Sequence, residues 1–132
     1  MNKSHKNCIS YHKGELEKNY NYQCRTEYPV PRDNSIRQID LACFRSECPQ
    51  AIGIEAESND NFNNPQIQSN KKDLQEFKEL FGKDKTKVFH ILVNDIIEFD
   101  KELVCDAPIE KPIIIKPNNK FNLPKGRLSY RW

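Results

Sequence analysis

Residues 37–58 read RQIDLACFRSECPQAIGIEAES, and how they are read decides the fold. Two short apolar runs flank a polar turn, as two strands joined by a loop would. Each run carries acid where a core strand normally has none: Asp40 in the first, Glu55 and Glu57 in the second. Side chains alternate faces along a strand, so Glu55 and Glu57 share one side while Ile52, Ile54 and Ala56 share the other. Neighbouring carboxylates on an apolar strand repel one another and lose solvation unless positive charge neutralises them. A hard divalent cation such as Mg²⁺ suits an oxygen-only site, and Asp40 on the adjoining strand offers a third ligand. The same letters also fit an edge strand whose Glu55 and Glu57 face water.

Downstream, SNDNFNNPQ (58–66) has turn composition and makes a loop at the end of the acidic strand. From Pro65 or Gln66 to Phe81 the period becomes helical, with Ile67, Leu74, Phe77, Leu80 and Phe81 forming one apolar stripe. Pro65 suits the first turn and Gly82 the C-cap. Lys87–Asn94, KVFHILVN, reads as a buried strand, so strand, helix and strand make a right-handed parallel crossover. His90 shares a face with Val88 and Leu92; it is either a core histidine satisfied by one hydrogen bond or a base or ligand.

Upstream, NYQCRTEYPV (21–30) alternates as a strand, with Arg25 and Glu27 on one face and Cys24, Thr26 and Tyr28 on the other. Arg32-Asp33-Asn34-Ser35 is the tip of a hairpin leading into the Asp40 strand. Arg32 and Arg37 bracket that tip, either solvated or touching phosphates. Residues 11–19 read as the end of a short helix bearing Glu15 and Glu17, and the dozen residues before it as loosely held.

Asp40 on one strand, Glu55-Ala56-Glu57 on the next, then helix and strand: in this the chain resembles the PD-(D/E)xK nuclease superfamily, over about residues 11–94. Ile39 stands where the family's name has Pro, and Glu57 where Lys is usual; some restriction endonucleases of the superfamily also carry E-x-E. The resemblance implies an α/β restriction endonuclease-like fold, a mixed central β-sheet flanked by helices, in a single domain over 1–132. It implies a Mg²⁺- or Mn²⁺-dependent endonuclease hydrolysing phosphodiester bonds in DNA. Asp40 and Glu55 would hold the metal, with Glu57 a second ligand or base. Family members often send a Glu from the preceding helix to the metal, here Glu15 or Glu17. They often place Gln or Lys at the start of the next helix, here Gln68, with Lys71 or Lys72 replacing the missing lysine charge. In length and element order the chain is similar to archaeal Holliday-junction resolvases, which implies a homodimer presenting two sites to two strands. The alternative is the same fold without the chemistry, a nucleic-acid-binding or protein-interaction module.

Composition leaves these readings open. Among 132 residues, 21 Lys and Arg against 19 Asp and Glu give a net charge of +2, so any basic surface must be local. No run is long and apolar enough to span a membrane, and MNKSHKNCIS lacks the apolar core of a signal peptide. The five cysteines then read as thiols of an intracellular, cytoplasmic chain, buried as small hydrophobes. Near the end, KPIIIKP (111–117) is an edge strand or a partner-binding segment. The arm 117–132 interleaves Lys120, Lys125, Arg127 and Arg131 with Phe121, Tyr130 and Trp132. It is expected to dock on a neighbouring subunit or to grip nucleic acid.

Overall fold

All seven residues of β3 (Ala51–Glu57) are buried, and the other elements are laid around that strand. A computed structural model describes residues 3–61 and 63–99, with strand backbone at 114–117 and 130–131. The remaining elements are α1 (Lys3–Tyr20), β1 (Gln23–Arg32), β2 (Ser35–Phe44), α2 (Pro65–Phe81), β4 (Thr86–Leu92), β5 (Asp95–Glu98), β6 (Ile114–Pro117) and β7 (Tyr130–Arg131). The main sheet has the order β1-β2-β3-β4-β7. Its first two pairings are antiparallel and β3–β4 is parallel, joined by the expected crossover through α2.

Alternation along β3 divides the core into two layers. Ile52, Ile54 and Ala56 pack with Cys8, Ile9 and Leu16 of α1, while Ala51 packs with Leu74 and Phe77 of α2. Gly53 lies under α2 as well: a Cβ there would stand 2.8 Å from the Phe77 ring. The absent side chain is what lets the helix sit this close to the sheet. α2 has the expected ends, with Pro65 in its first turn, Asn64 accepting from the Gln66 N–H, and Gly82 at φ 99°. Its inner face differs from the stripe at two positions: Asp73 is wholly buried and Leu80 is 56% exposed.

α1 corrects the reading of the N-terminus. Cys8, Ile9, His12 and Leu16 are buried along it, so helix runs from Lys3 where a loosely held segment was expected. Their spacing of one, four and eight is an apolar stripe interrupted by a histidine. His12 is satisfied inside that stripe: Nδ1 lies 2.7 Å from the Cys8 carbonyl, and Nε2 accepts the Ile97 N–H at 3.0 Å. Burial pulls its pKa down to about 4, so the ring is neutral.

β1 and β2 form the expected hairpin, with Arg32 opposite Ser35 and Asp33 at φ 54° in the tip. Cys24 and Cys43 face each other across this ladder and are joined as a disulfide, which corrects the expectation of five thiols. Thiols are expected where no signal-peptide core is read, and the disulfide overturns that consequence. Cys8 is a free buried thiol, its pKa pushed up to about 12 by burial. Both strands then switch faces at one level. Cys24 packs toward α1 but Tyr28 toward α2, although they share parity; likewise Leu41 and Ile39. The switch falls at Glu27, whose φ is 51°, opposite Asp40 in the same register. A non-glycine residue in the left-handed region inside a strand is unfavourable, and such positions collect at functional sites.

The C-terminal segments pair within the chain. Ile114–Pro117 is an edge strand against β5, and Tyr130–Arg131 lies beside β4 at the edge of the main sheet. Of the expected C-terminal arm, Tyr130 and Arg131 thus pair with His90 and Phe89. Lys120, Phe121, Lys125, Arg127 and Trp132 lie outside the described residues. Among the described residues, no helix is long and apolar enough to cross a membrane.

Candidate active site

The β2–β3 ladder runs from Phe44↔Ala51 to Leu41↔Ile54 and stops there. One residue further, carboxylates take over the backbone donors. Glu55 Oε1 accepts the Asp40 N–H at 2.5 Å, and Asp40 Oδ2 accepts the Ala56 N–H at 2.8 Å. Each acid thus satisfies a main-chain group of the opposite strand, and the two side chains occupy the gap where the strands part. Beyond the gap lies a cavity of about 410 Å³, lined by Asp40, Glu55 and Glu57 together with Glu27. The three acids picked out in the sequence are therefore brought together, and Glu55 and Glu57 are 4% and 8% exposed. The solvent-facing reading of β3 is excluded.

Burial comes first in raising the Glu55 pKa well above the usual carboxylate range, followed by the nearby charges of Asp40 and Glu57. Few cations answer that charge. His5, from the first turns of α1, puts Nε2 3.1 Å from Asp40 Oδ2 and 2.9 Å from the Ala56 carbonyl. Burial alone would lower the His5 pKa; the hydrogen bond and charge of Asp40 outweigh it, and the net direction is upward. On the far side, Glu57 Oε2 lies 2.7 Å from Nε2 of the wholly buried His90 and accepts the Asn70 amide at 2.8 Å. Gln66 Nε2 donates to Asn70 Oδ1 at 3.1 Å, which fixes the Asn70 amide with its nitrogen toward Glu57.

The helix residues at the site differ from those the resemblance suggested. α2 offers Gln66 and Asn70, one turn apart, to the cavity. Gln68 and Lys72 are exposed, and Lys71 is half-buried on the flank between them and Asn70. A register shift of two along a helix turns a side chain by about 200°, so a signal correct for the helix named the wrong face of it. From α1 the residue that arrives is His5. Glu15 lies ten residues on, about 15 Å along the axis, beside Tyr11, whose pKa it helps raise after the larger effect of burial. Glu17 lies 3.8 Å from Lys13.

Arg32 and Arg37, both partly exposed, are held by an acid of α2. Arg32 donates to Asp73 Oδ1 at 2.8 Å and Arg37 to Asp73 Oδ2 at 3.2 Å, and both reach Ser69 Oγ. Asp73, with 1% of its side chain exposed, is thus matched by a guanidinium on each oxygen.

The donor set at the cavity is the hard-oxygen kind that suits Mg²⁺ or Mn²⁺, with Asp40 and Glu55 as the pair that would hold it. Among the described residues no three His, Cys, Asp or Glu side chains converge on one point a metal ion would occupy. Comparison with known proteins gives no match: no family model, curated protein or solved structure matches the chain.

Proposed function

We propose that the cavity at the β2–β3 gap is the active centre of a divalent-metal-dependent endonuclease hydrolysing phosphodiester bonds in DNA, on a restriction endonuclease-like chain. The observation that carries this is the junction itself. Asp40 and Glu55 come from adjacent strands to the point where the ladder parts, with Glu57 lining the same cavity and too little cationic charge to balance them. The order α1-β1-β2-β3-α2-β4, antiparallel through β3 and parallel after it, supports the resemblance on topology as well as motif.

Asp40 and Glu55 would hold the metal, which when bound polarises a phosphate and lowers the pKa of a water. Glu57 has its Oε1 without a hydrogen bond among the described residues and serves as the group that takes the proton of that water. His5 steadies the Asp40 carboxylate from α1. Two copies related by a two-fold axis would present one site to each strand of a duplex, so the active form proposed is a homodimer.

A binding module without chemistry is the second reading, and one observation favours it. None of the described residues lining the cavity is a lysine, and its arginine, Arg37, is committed to Asp73. A panel of labelled duplex, single-stranded and branched DNA, with matching RNA, incubated in Mg²⁺ or Mn²⁺ separates the two. Cleavage of DNA that Asp40→Asn and Glu55→Gln each abolish supports the enzyme. Binding without cleavage under every condition supports the module.

A further inference from the structure

The nuclease reading leaves the polar groups that hold Glu57 from behind without a role. His90 sits in the middle of the parallel strand β4, wholly buried, in a run of apolar residues. A histidine there displaces an aliphatic side chain and brings a polar ring into the core, which is unfavourable unless the ring is bonded. Its Nε2 is spent on one oxygen of Glu57, 2.7 Å away. The same oxygen takes the amide of Asn70, whose orientation is set in turn by Gln66. Donors from β4 and from α2 therefore converge on Glu57 Oε2, and Glu57 Oε1 is the oxygen left for the cavity.

We infer that His90 and Asn70 are positioning residues that clamp Glu57 by Oε2 and aim Oε1 at the reacting water. The inference rests on the proposed nuclease activity. In that step the water oxygen forms a new bond to phosphorus, its proton passes to Glu57 Oε1, and the ester bond on the opposite side of phosphorus breaks. The departing alkoxide takes its proton from solvent water. A carboxylate on a flexible two-carbon stem samples several rotamers, and fixing one oxygen with two donors removes that freedom before substrate arrives. His12 makes a useful contrast. It too is buried, but its nearest partners are main-chain groups, the Cys8 carbonyl and the Ile97 N–H, so its role is to join α1 to β5.

The test pairs a spectroscopic readout with kinetics. In ring-nitrogen NMR of the intact protein, His90 Nε2 should carry a proton that resonates far downfield, and Glu57→Gln should move that proton upfield. With the DNA that wild type cleaves, His90→Phe and Asn70→Leu should each lower kcat at least tenfold with KM changed less than twofold. His90→Gln, whose amide N–H reaches the position of Nε2, should restore most of kcat. A bare Nε2, or a His90 spectrum indifferent to Glu57→Gln, overturns the clamp. Active wild type with kcat unmoved in His90→Phe and Asn70→Leu overturns the positioning role alone. Intact His90–Glu57 coupling in a protein that cleaves none of the substrates overturns the nuclease reading, and the catalytic role of the clamp with it.

Discussion

Asp73 lies on α2 about one turn beyond Asn70, the helix residue that bonds Glu57 of β3, and the chain neutralises the two acids in opposite ways. Asp73 is buried and meets a guanidinium on each oxygen, from Arg32 and Arg37 at the two ends of the β1–β2 tip. Glu57 belongs to a group of three carboxylates answered by two imidazoles and an amide. Two full positive charges face one negative charge at Asp73. At the cavity, up to three negative charges face rings that are positive only when protonated. Evolution of a stable core tends toward the first arrangement, because a buried charge without its partner is costly. The second persists where something outside the chain supplies the missing charge, or where function requires the imbalance. On the proposed function, the two places separate an acid that holds the fold from acids that would take a cation.

The largest expected effect breaks the balanced side. Asp73→Asn leaves two partly buried guanidiniums without a countercharge and should destabilise the protein by about 3 kcal/mol, read as a lower denaturant midpoint with unchanged slope. The triple variant, with Arg32→Met and Arg37→Met added to Asp73→Asn, should recover much of that loss.

His12 calibrates what burial alone does to a titrating group. Its folded pKa, about 4, lies below the unfolded value of 6.5. The stability it contributes is therefore fully present above pH 6.5 and is lost as pH falls through 4. Over that window the wild type should lose roughly 3 kcal/mol from this group. Urea melts of His12→Gln at matched pH should show a correspondingly flatter acid limb; equal limbs in the two proteins would remove this account of His12.

The smallest effect sharpens the unbalanced side. Glu55 is shifted the other way: its folded pKa is raised, so its contribution to stability is fully present below the unfolded pKa of about 4.5 and declines as pH rises toward the folded one. Glu55→Gln keeps the acceptor for the Asp40 N–H and removes the charge. Metal-free melts should find the variant more stable than wild type by about 1 kcal/mol at pH 7.5, with the gap closing by pH 4.

Much of this arrangement could be read from the letters. The period change after Pro65, the cap at Gly82 and the acids at positions 40, 55 and 57 placed α2, the parallel crossover and the heart of the cavity. What escaped was decided by contacts distant in sequence. Arg32 and Arg37 looked like loop arginines because their partner, Asp73, lies 36 to 41 residues away inside an apolar stripe. The Cys24–Cys43 pair needed the hairpin register, and the reversal of faces at Glu27 has no glycine to announce it. His5 stood in a polar stretch whose helical stripe was broken by His12, so the helix bearing it was begun too late. Gln66 and Asn70 were missed for a simpler reason: helix phase near an N-terminus is fixed by what the first turn packs against, and the site was itself that surface.

The central claim is that the Asp40–Glu55–Glu57 group is short of positive charge and takes it from a divalent cation. The direct measurement is the melting temperature of wild type and Glu55→Gln at pH 7.5, without metal and across rising Mn²⁺ to millimolar. The account predicts a wild-type midpoint that climbs with free Mn²⁺, as binding to the folded state requires, and a Glu55→Gln midpoint that starts higher and stays level. A wild type indifferent to Mn²⁺, with Glu55→Gln no more stable than wild type in its absence, would contradict it.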